Sequence, residues 1–310
     1  MERPYIIHMF TPGRQMSPFD INMAADAGYQ MVVPYTGVDS AGIVGLTQDT
    51  IFSRGPKGVA RTGIFIGGRD ALLAADMLQA ARSAMVKPFV VSLMADPSGA
   101  YTTAAAMVAC VEAALLRHHG GGLSGRRVVV LGGTGPVGRI AAVIAARAGA
   151  LVRLSSSKGI EVAEQAAQET AKRFDVSLQA TSSADADALQ HSIADAEVLL
   201  ACAAAGRQVV STEDLGAARA LRVAADINAV PPAGIAGVGM MDDGAALAGA
   251  GAGEAALGIG ALAVGNVKYQ TQHRLLTQMR EAEKPVVLGF DEAFAVARAF
   301  LAERSAGQGS

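Results

Sequence analysis

Short apolar runs alternate with longer stretches in which apolar residues recur at helical spacing, almost from one end of the chain to the other. That alternation is the signature of an α/β protein with a mostly parallel sheet. In the first third the pattern predicts strands over Tyr5–Met9, Gly63–Ile66 and Phe89–Met94. It predicts helices over Pro18–Ala27 and Asp70–Ala84, and a third from near Tyr101 to about His118. The segment HGGGLSGR (His119–Arg126) interrupts the pattern, and three consecutive glycines favour a hinge there.

Beyond the hinge the alternation becomes regular. Strands are expected over Arg127–Leu131, Leu151–Ser155, Val176–Ala180, Val198–Ala201 and Leu221–Ala225, with helices over Pro136–Ala148, Ile160–Phe174 and Ala184–Ile193. Residues 124–266 thus make a complete nucleotide-binding α/β domain of Rossmann type. The C-terminal helices, Val267–Met279 and Asp291–Glu303, return to the first part, with Asp291 as an N-cap. Residues 1–120 and 267–310 then form a second α/β domain from both chain ends.

Composition narrows the function classes. Of 310 residues, 51% are hydrophobic and 17% charged, enough for a sizeable core and unlike a disordered chain. A net charge of -2 gives no electrostatic reason to bind nucleic acid. The N-terminus lacks the basic and apolar regions of a signal peptide. Gly244–Gly265 is the stretch most like a membrane span, but its glycines and alanines, with Glu254 among them, read as close-packed backbone in a soluble protein. Cys110 and Cys202 lie in apolar runs without basic neighbours, which suits two packed thiols in a cytoplasmic protein. The five histidines are scattered or diverge, so no metal site is expected, and Asp242 and Asp243 read as solvated loop carboxylates. The last residues, SAGQGS, are expected to fray.

The strongest chemical signal is VVVLGGTGPVG (Val128–Gly138). Gly133 allows the tight turn, Gly135 lets the backbone approach a pyrophosphate, and Gly138 lets helix and strand pack closely. Thr134, Pro136 and Val137 complete the cradle, with the phosphates at the positive helix N-terminus. The motif is weak alone, but the Val-rich strand before it and the Ala-rich helix after it are the required setting. At the end of the next strand, where an NAD site places Asp or Glu, stand Ser155, Ser156, Ser157 and Lys158. Hydroxyls and a cation accept a 2′-phosphate, so NADP is expected; without an Arg clamp, NAD is also admitted. The other reading of Lys158 is a solvated turn lysine.

Three further places carry candidate chemistry. Asp20 opens a helix and, in a substrate domain, could bond ring nitrogens of the substrate, or be a helix-terminal carboxylate. Thr102 and Thr103 could face a ligand or cap their helix. Asp226 and Asn228 end a strand at the edge where parallel sheets bind ligands, suiting contact with the nicotinamide side.

Together, DPSGAYTTAAAMVA (Asp96–Ala109), LSGRRVVVLGGTGPVG, ADINAVPPAGIAG (Ala225–Gly237) and ALGIGAL (Ala256–Leu262) resemble the bacterial methylene-tetrahydromethanopterin dehydrogenases, as do TIFSRGPKG (Thr50–Gly58) and TGIFIGGRD (Thr62–Asp70). The resemblance implies hydride transfer from the methylene bridge of the pterin substrate to NAD(P)+ in one-carbon metabolism. It further implies a substrate domain that binds the pterin, and a homo-oligomer with trimeric units. Lys268, in NVKYQTQ, resembles a lysine that the family keeps after LGIG, which would make it catalytic; otherwise it is a surface helix lysine. The related cyclohydrolases carry Tyr-x-x-x-Lys; here no Tyr has Lys four residues on, and Tyr101 is followed there by Ala105. No cyclohydrolase activity is expected. A methylene-tetrahydrofolate dehydrogenase and a non-catalytic NADP sensor are the competing readings.

Overall fold

The computed structural model describes residues 3–250 and 256–308. It forms two compact units, Met1–Thr102 with Tyr269–Val296, and Thr103–Lys268 with Ala297–Ser310.

The first unit opens with β1 (Ile6–Phe10), α1 (Pro18–Asp26), β2 (Met31–Tyr35), α2 (Gly42–Phe52), the single turn α3 (Pro56–Val59), β3 (Thr62–Ile66), α4 (Ala71–Ser83) and β4 (Ser92–Ala95). A fifth strand, Val287–Leu288, comes from the C-terminal part and pairs in parallel with β4. All pairings in this sheet are parallel, and β3 at its centre is buried at every position. β2 escapes the sequence pattern because Pro34 interrupts it; an edge strand tolerates a missing N–H. α4 shows the local logic: Asp70 accepts from the Leu72 and Leu73 amides at 2.9 and 3.0 Å, and Ala71, Ala74, Met77 and Ala81 form its buried stripe.

A helical turn at Pro97–Gly99 leads into α5 (Ala100–His118), and the division between the units falls inside this helix at Thr102/Thr103. The glycine-rich segment after His118 is therefore not the boundary the sequence suggested. The reason is packing: the later part of α5 is lined with buried residues such as Met107, Val111 and Leu115, which belong to the second unit's core.

The second unit continues with β5 (Arg127–Leu131), α6 (Pro136–Arg147), β6 (Leu151–Ser156), α7 (Ile160–Phe174), β7 (Gln179–Ser182), α8 (Ala186–Ile193), β8 (Val198–Ala201), the turn α9 (Thr212–Leu215), β9 (Val223–Asp226), β10 (Asp243–Leu247) and β11 (Ala256–Ile259). The sheet order is β10-β11-β9-β8-β5-β6-β7, parallel except for β10. Six parallel strands ordered outward from β5 in both directions are the doubly wound arrangement in which a crevice opens beside the first strand. α10 (Ala261–Glu281), β12 (Val287–Leu288) and α11 (Phe290–Gln308) complete the chain.

Four expectations change. Gly244–Gly265 contributes strand β10, strand β11 and the start of α10; Glu254 lies outside the described residues. Among the described residues, the helix long and apolar enough to cross a membrane is instead Pro97–His118, and most of it is buried in the structure. Asp243 is ion-paired with Arg304 at 2.7 Å, rather than merely solvated. Asp291 lies inside the first turn of α11, and Glu292 accepts from the Gly289 amide instead. The second half of α11 also belongs to the second unit, where Arg298 pairs with Glu112.

Candidate functional site

The glycine turn between β5 and α6 is built to leave one face bare. Gly132 has φ +72, a left-handed conformation that glycine adopts without strain, and a Cβ there would meet the Ala203 backbone nitrogen at 2.8 Å. The sequence assigns the tight turn to Gly133; the structure gives the positive φ to Gly132, while a Cβ on Gly133 would strike Leu154 at 2.5 Å. Gly138 is closed in by backbone, 2.6 Å from the Gly132 carbonyl oxygen to an added Cβ. Gly135 differs: its nearest neighbour would be that same oxygen at 3.5 Å, an ordinary contact.

No side chain caps α6, and Pro136 occupies its first turn. The Val137 and Gly138 amides therefore meet the positive end of the helix dipole without a side-chain acceptor. Thr134 and Val137 are half-buried and Pro136 is exposed. Arg139, which the sequence reading passed over, fixes the turn from its helix side: Nε donates to the Thr134 carbonyl at 3.1 Å and Nη1 to Thr170 Oγ1 at 3.0 Å. A closed glycine floor, an open Gly135 and an uncapped helix start fit the pyrophosphate of a dinucleotide.

At the end of β6 the four predicted residues divide. Ser155 and Ser156 are buried; the Ser155 hydroxyl bonds Ser183 Oγ at 2.9 Å, and Ser156 Oγ accepts from the Lys158 amide at 3.0 Å. Ser157 and Lys158 are exposed. The buried pair shapes the turn, and of the four only Ser157 and Lys158 are open to solvent. Ser183, after β7, was invisible in sequence because nothing local marks its approach to Ser155.

At the end of β9, Asp226 and the nearby Asn228 spend their polar atoms on the loop that follows. Asp226 accepts from the Asn228, Gly234 and Ile235 amides at 2.9, 2.6 and 3.1 Å. Burial pushes its carboxyl above the usual range, against the lowering pull of these three donors. Asn228 Oδ1 accepts from the Gly206 and Val230 amides, and Nδ2 donates to the Pro232 carbonyl. Both residues hold a loop at the carboxyl edge of the sheet.

In the first unit the strand order β2-β1-β3-β4-β12 reverses between β1 and β3, and ligands bind at such a switch point beyond the strand ends. A cavity of about 720 Å³ lies there, lined by Thr11 and Arg14 after β1, Asp20 of α1, Arg69 and Asp70 after β3, and Ser98 after β4. Its rim is stitched together: the Gly67 amide donates to the Phe10 carbonyl at 2.9 Å and Ser98 Oγ to the Gly68 carbonyl at 2.6 Å. Asp20 is 2% exposed, and its Oδ1 accepts from Gln272 Nε2 at 2.7 Å.

Thr102 is buried, and its hydroxyl donates to Asp96 Oδ2 at 2.7 Å. Asp96, missed in sequence, also accepts from the Tyr101 and Thr102 amides and so anchors the start of α5. Thr103 is half-buried. Lys268 is half-buried on α10, one turn before Gln272. Cys110 and Cys202 are free, and burial pushes both thiols up to about 12.

Comparison with known proteins adds four findings. A family profile described as methylene-tetrahydromethanopterin dehydrogenase, N-terminal, matches residues 18–98. The NAD(P)-dependent methylenetetrahydromethanopterin dehydrogenase of Methylorubrum extorquens is 48% identical over 292 residues, covering 94% of this chain and 97% of that protein. The bifunctional protein MdtA of the same organism is 31% identical over 281 residues, covering 91% of this chain and 94% of that one. Among solved structures, quinate dehydrogenase from Corynebacterium glutamicum in complex with NAD covers 96% of this chain and 99% of its own at a TM-score of 0.53 and 11% identity, a likeness of fold alone.

Proposed function

This chain belongs to the methylenetetrahydromethanopterin dehydrogenase family, and on that premise we propose how its residues carry out the reaction and which nucleotide it prefers. It is an NAD(P)-dependent oxidoreductase that oxidises methylenetetrahydromethanopterin to the methenyl form in one-carbon metabolism. The observation that carries this is the 48% identity running through 94% of the chain.

The dinucleotide supplies the hydride acceptor when bound. The chain's part is to hold and to orient, because hydride leaves a carbon flanked by two nitrogens and no proton moves in that step. Gly133–Gly138 and the start of α6 hold the pyrophosphate. Asp226 and Asn228 fix the loop on the nicotinamide side as positioning residues. Asp20 bonds the pterin ring; the Gln272 amide that orients its carboxylate supports this role. Thr102 sets the start of α5 through Asp96, and Thr103 offers a hydroxyl to the substrate. Lys268 is the catalytic residue, steering the five-membered ring before hydride leaves; its place on α10, half-buried, supports that role.

NADP is the preferred cofactor. The exposed pair Ser157 and Lys158, with no acidic residue at the end of β6, supports acceptance of a 2′-phosphate. NAD is used more weakly. A cytoplasmic location and assembly as a homo-oligomer belong to the same proposal; the two free thiols support the first.

The test is absorbance at the reduced-nicotinamide band with each of NADP+ and NAD+ against methylenetetrahydromethanopterin and methylene-tetrahydrofolate. Turnover with the methanopterin substrate, faster with NADP+, is expected. Turnover with the folate alone moves the substrate assignment. NADP+ binding without any turnover replaces the enzyme by a sensor.

A further inference from the structure

The cavity at the β1/β3 switch point holds two guanidiniums that nothing in the mechanism uses. Arg14 follows β1 and Arg69 follows β3, and both are exposed. Among the described residues neither takes part in an ion pair or a side-chain hydrogen bond. The carboxylates beside them are already engaged. Asp70 accepts from two amides at the start of α4, whose dipole offsets its charge, and Asp20 Oδ1 accepts from Gln272.

The loops carrying the two arginines are fixed. The Thr11 amide donates to the Tyr35 carbonyl at 3.0 Å, Thr11 Oγ1 accepts from the Gly13 amide at 3.1 Å, and the Gly37 amide donates to the Gly13 carbonyl at 2.9 Å. Gly68, at φ +115, sits against Pro12, where an added Cβ would come within 3.0 Å of its ring. Positive charge held on a rigid rim above a cavity of this size is an arrangement for an anion on a ligand that reaches past the cavity floor.

We propose that Arg14 and Arg69 bind the acidic tail of the pterin coenzyme, taking its carboxylate or phosphodiester oxygens while the ring end lies toward Asp20. This rests on the family reading above and extends it to the part of the substrate that does not react. A guanidinium pair at the rim supplies uniform binding, equal in ground and transition states, so it acts on KM and leaves kcat alone. The acidic tail is the occupant, and the same chemistry would admit a free phosphate.

Steady-state kinetics on the full chain separate these. Wild type, Arg14→Ala, Arg69→Ala and Arg14→Lys are each assayed with methylenetetrahydromethanopterin and with a methylene-tetrahydropterin cut short of its acidic tail, with inorganic phosphate as competitor. Each alanine variant is expected to raise KM for the full substrate about tenfold, with kcat and the dinucleotide KM within about twofold of wild type. The shortened substrate should show no difference between wild type and variants, and Arg14→Lys should recover part of the loss. An equal rise with the shortened substrate, an unmoved KM, or a rise confined to the dinucleotide overturns the assignment. Phosphate that binds through these arginines without competing against the substrate assigns them to a free anion and also overturns it. Absent wild-type turnover would instead show the proposed activity itself at fault, whereas normal wild-type turnover with unmoved variants would fault this inference alone.

Discussion

Gln272 donates its side-chain amide to the Asp20 carboxylate at 2.7 Å, joining two buried residues 252 positions apart. The contact explains how a carboxylate at a helix start can be nearly inaccessible: its charge meets a fixed donor from the far end of the chain. It also separates two roles by substitution. Asp20→Ala removes the acceptor and should cost about 1–3 kcal/mol of stability. Asp20→Asn keeps an acceptor oxygen but loses the charge. It should unfold close to wild type in urea while turnover falls at least about tenfold. Normal turnover in the Asn variant would confine Asp20 to a structural role.

The glycines of the turn should fail in different ways. At Gly138 an added Cβ meets backbone at 2.6 Å, which has no rotamer by which to yield. Gly138→Ala should therefore lower stability by about 1–3 kcal/mol, together with dinucleotide affinity. At Gly135 the nearest contact is 3.5 Å, so Gly135→Ala should melt within about 0.5 kcal/mol of wild type. Its dinucleotide affinity should nevertheless fall about tenfold or more, because the methyl group occupies the approach to the pyrophosphate. Thermal melts and cofactor titration on the same samples check both, and unchanged affinity in the Gly135 variant would remove the cradle.

The second unit's sheet was largely legible because β5, β6, β8 and β9 each carry apolar residues and each helix its own period, whereas β7, QATS at an edge of the sheet, carries no such run and lies three residues beyond the start of the expected Val176–Ala180. The ends of β5, α7 and β8 fall where the pattern puts them. What sequence could not convey is of two kinds. One is edge strands whose composition speaks against them: β2 contains Pro34, and β10, DGAAL, has no β-branched residue. The other is side-chain contact that no local pattern announces. Nothing near Ser155 announces Ser183, nothing near Thr102 announces that its hydroxyl is held by Asp96, and nothing near Asp226 announces that three loop amides converge on it. The residue types at the candidate site could thus be read in sequence, while the division between those left exposed and those whose polar atoms are spent on holding a loop could not.

Cofactor choice should follow the exposed half of the β6 turn. Lys158→Ala removes the one cation among the four residues there, and should weaken NADP about tenfold while leaving NAD within about twofold. Ser155→Ala should instead lower stability modestly, through the lost bond to Ser183, with little effect on the NADP:NAD ratio. The ratio of kcat/KM for the two nucleotides is the measurement. A Lys158 variant with the wild-type ratio would leave that lysine in solvent.

The opposite edge of the same sheet carries its acid sensitivity. Glu197, just before β8, pairs with Arg126 at 2.8 Å and Arg127 at 3.3 Å, and accepts from the Arg127 amide at 3.2 Å. Burial acts to raise its carboxyl, but the bonds and charges of the two arginines outweigh it, and the group lies below its ordinary 4.5. A carboxylate whose native pKa is depressed binds its proton more readily when unfolded. Its contribution is therefore complete above about pH 4.5 and is lost as pH falls through the lower native value. Glu197→Gln removes the charge and keeps one acceptor. It should be less stable than wild type by about 1 kcal/mol at pH 7, and the gap should close as pH falls below that range. Urea unfolding at pH 7 and at successively lower pH measures the gap directly. A difference that stays constant down the series would mean that the ion pairs do not set the titration of Glu197, and that its worth lies in the second acceptor oxygen that Gln lacks.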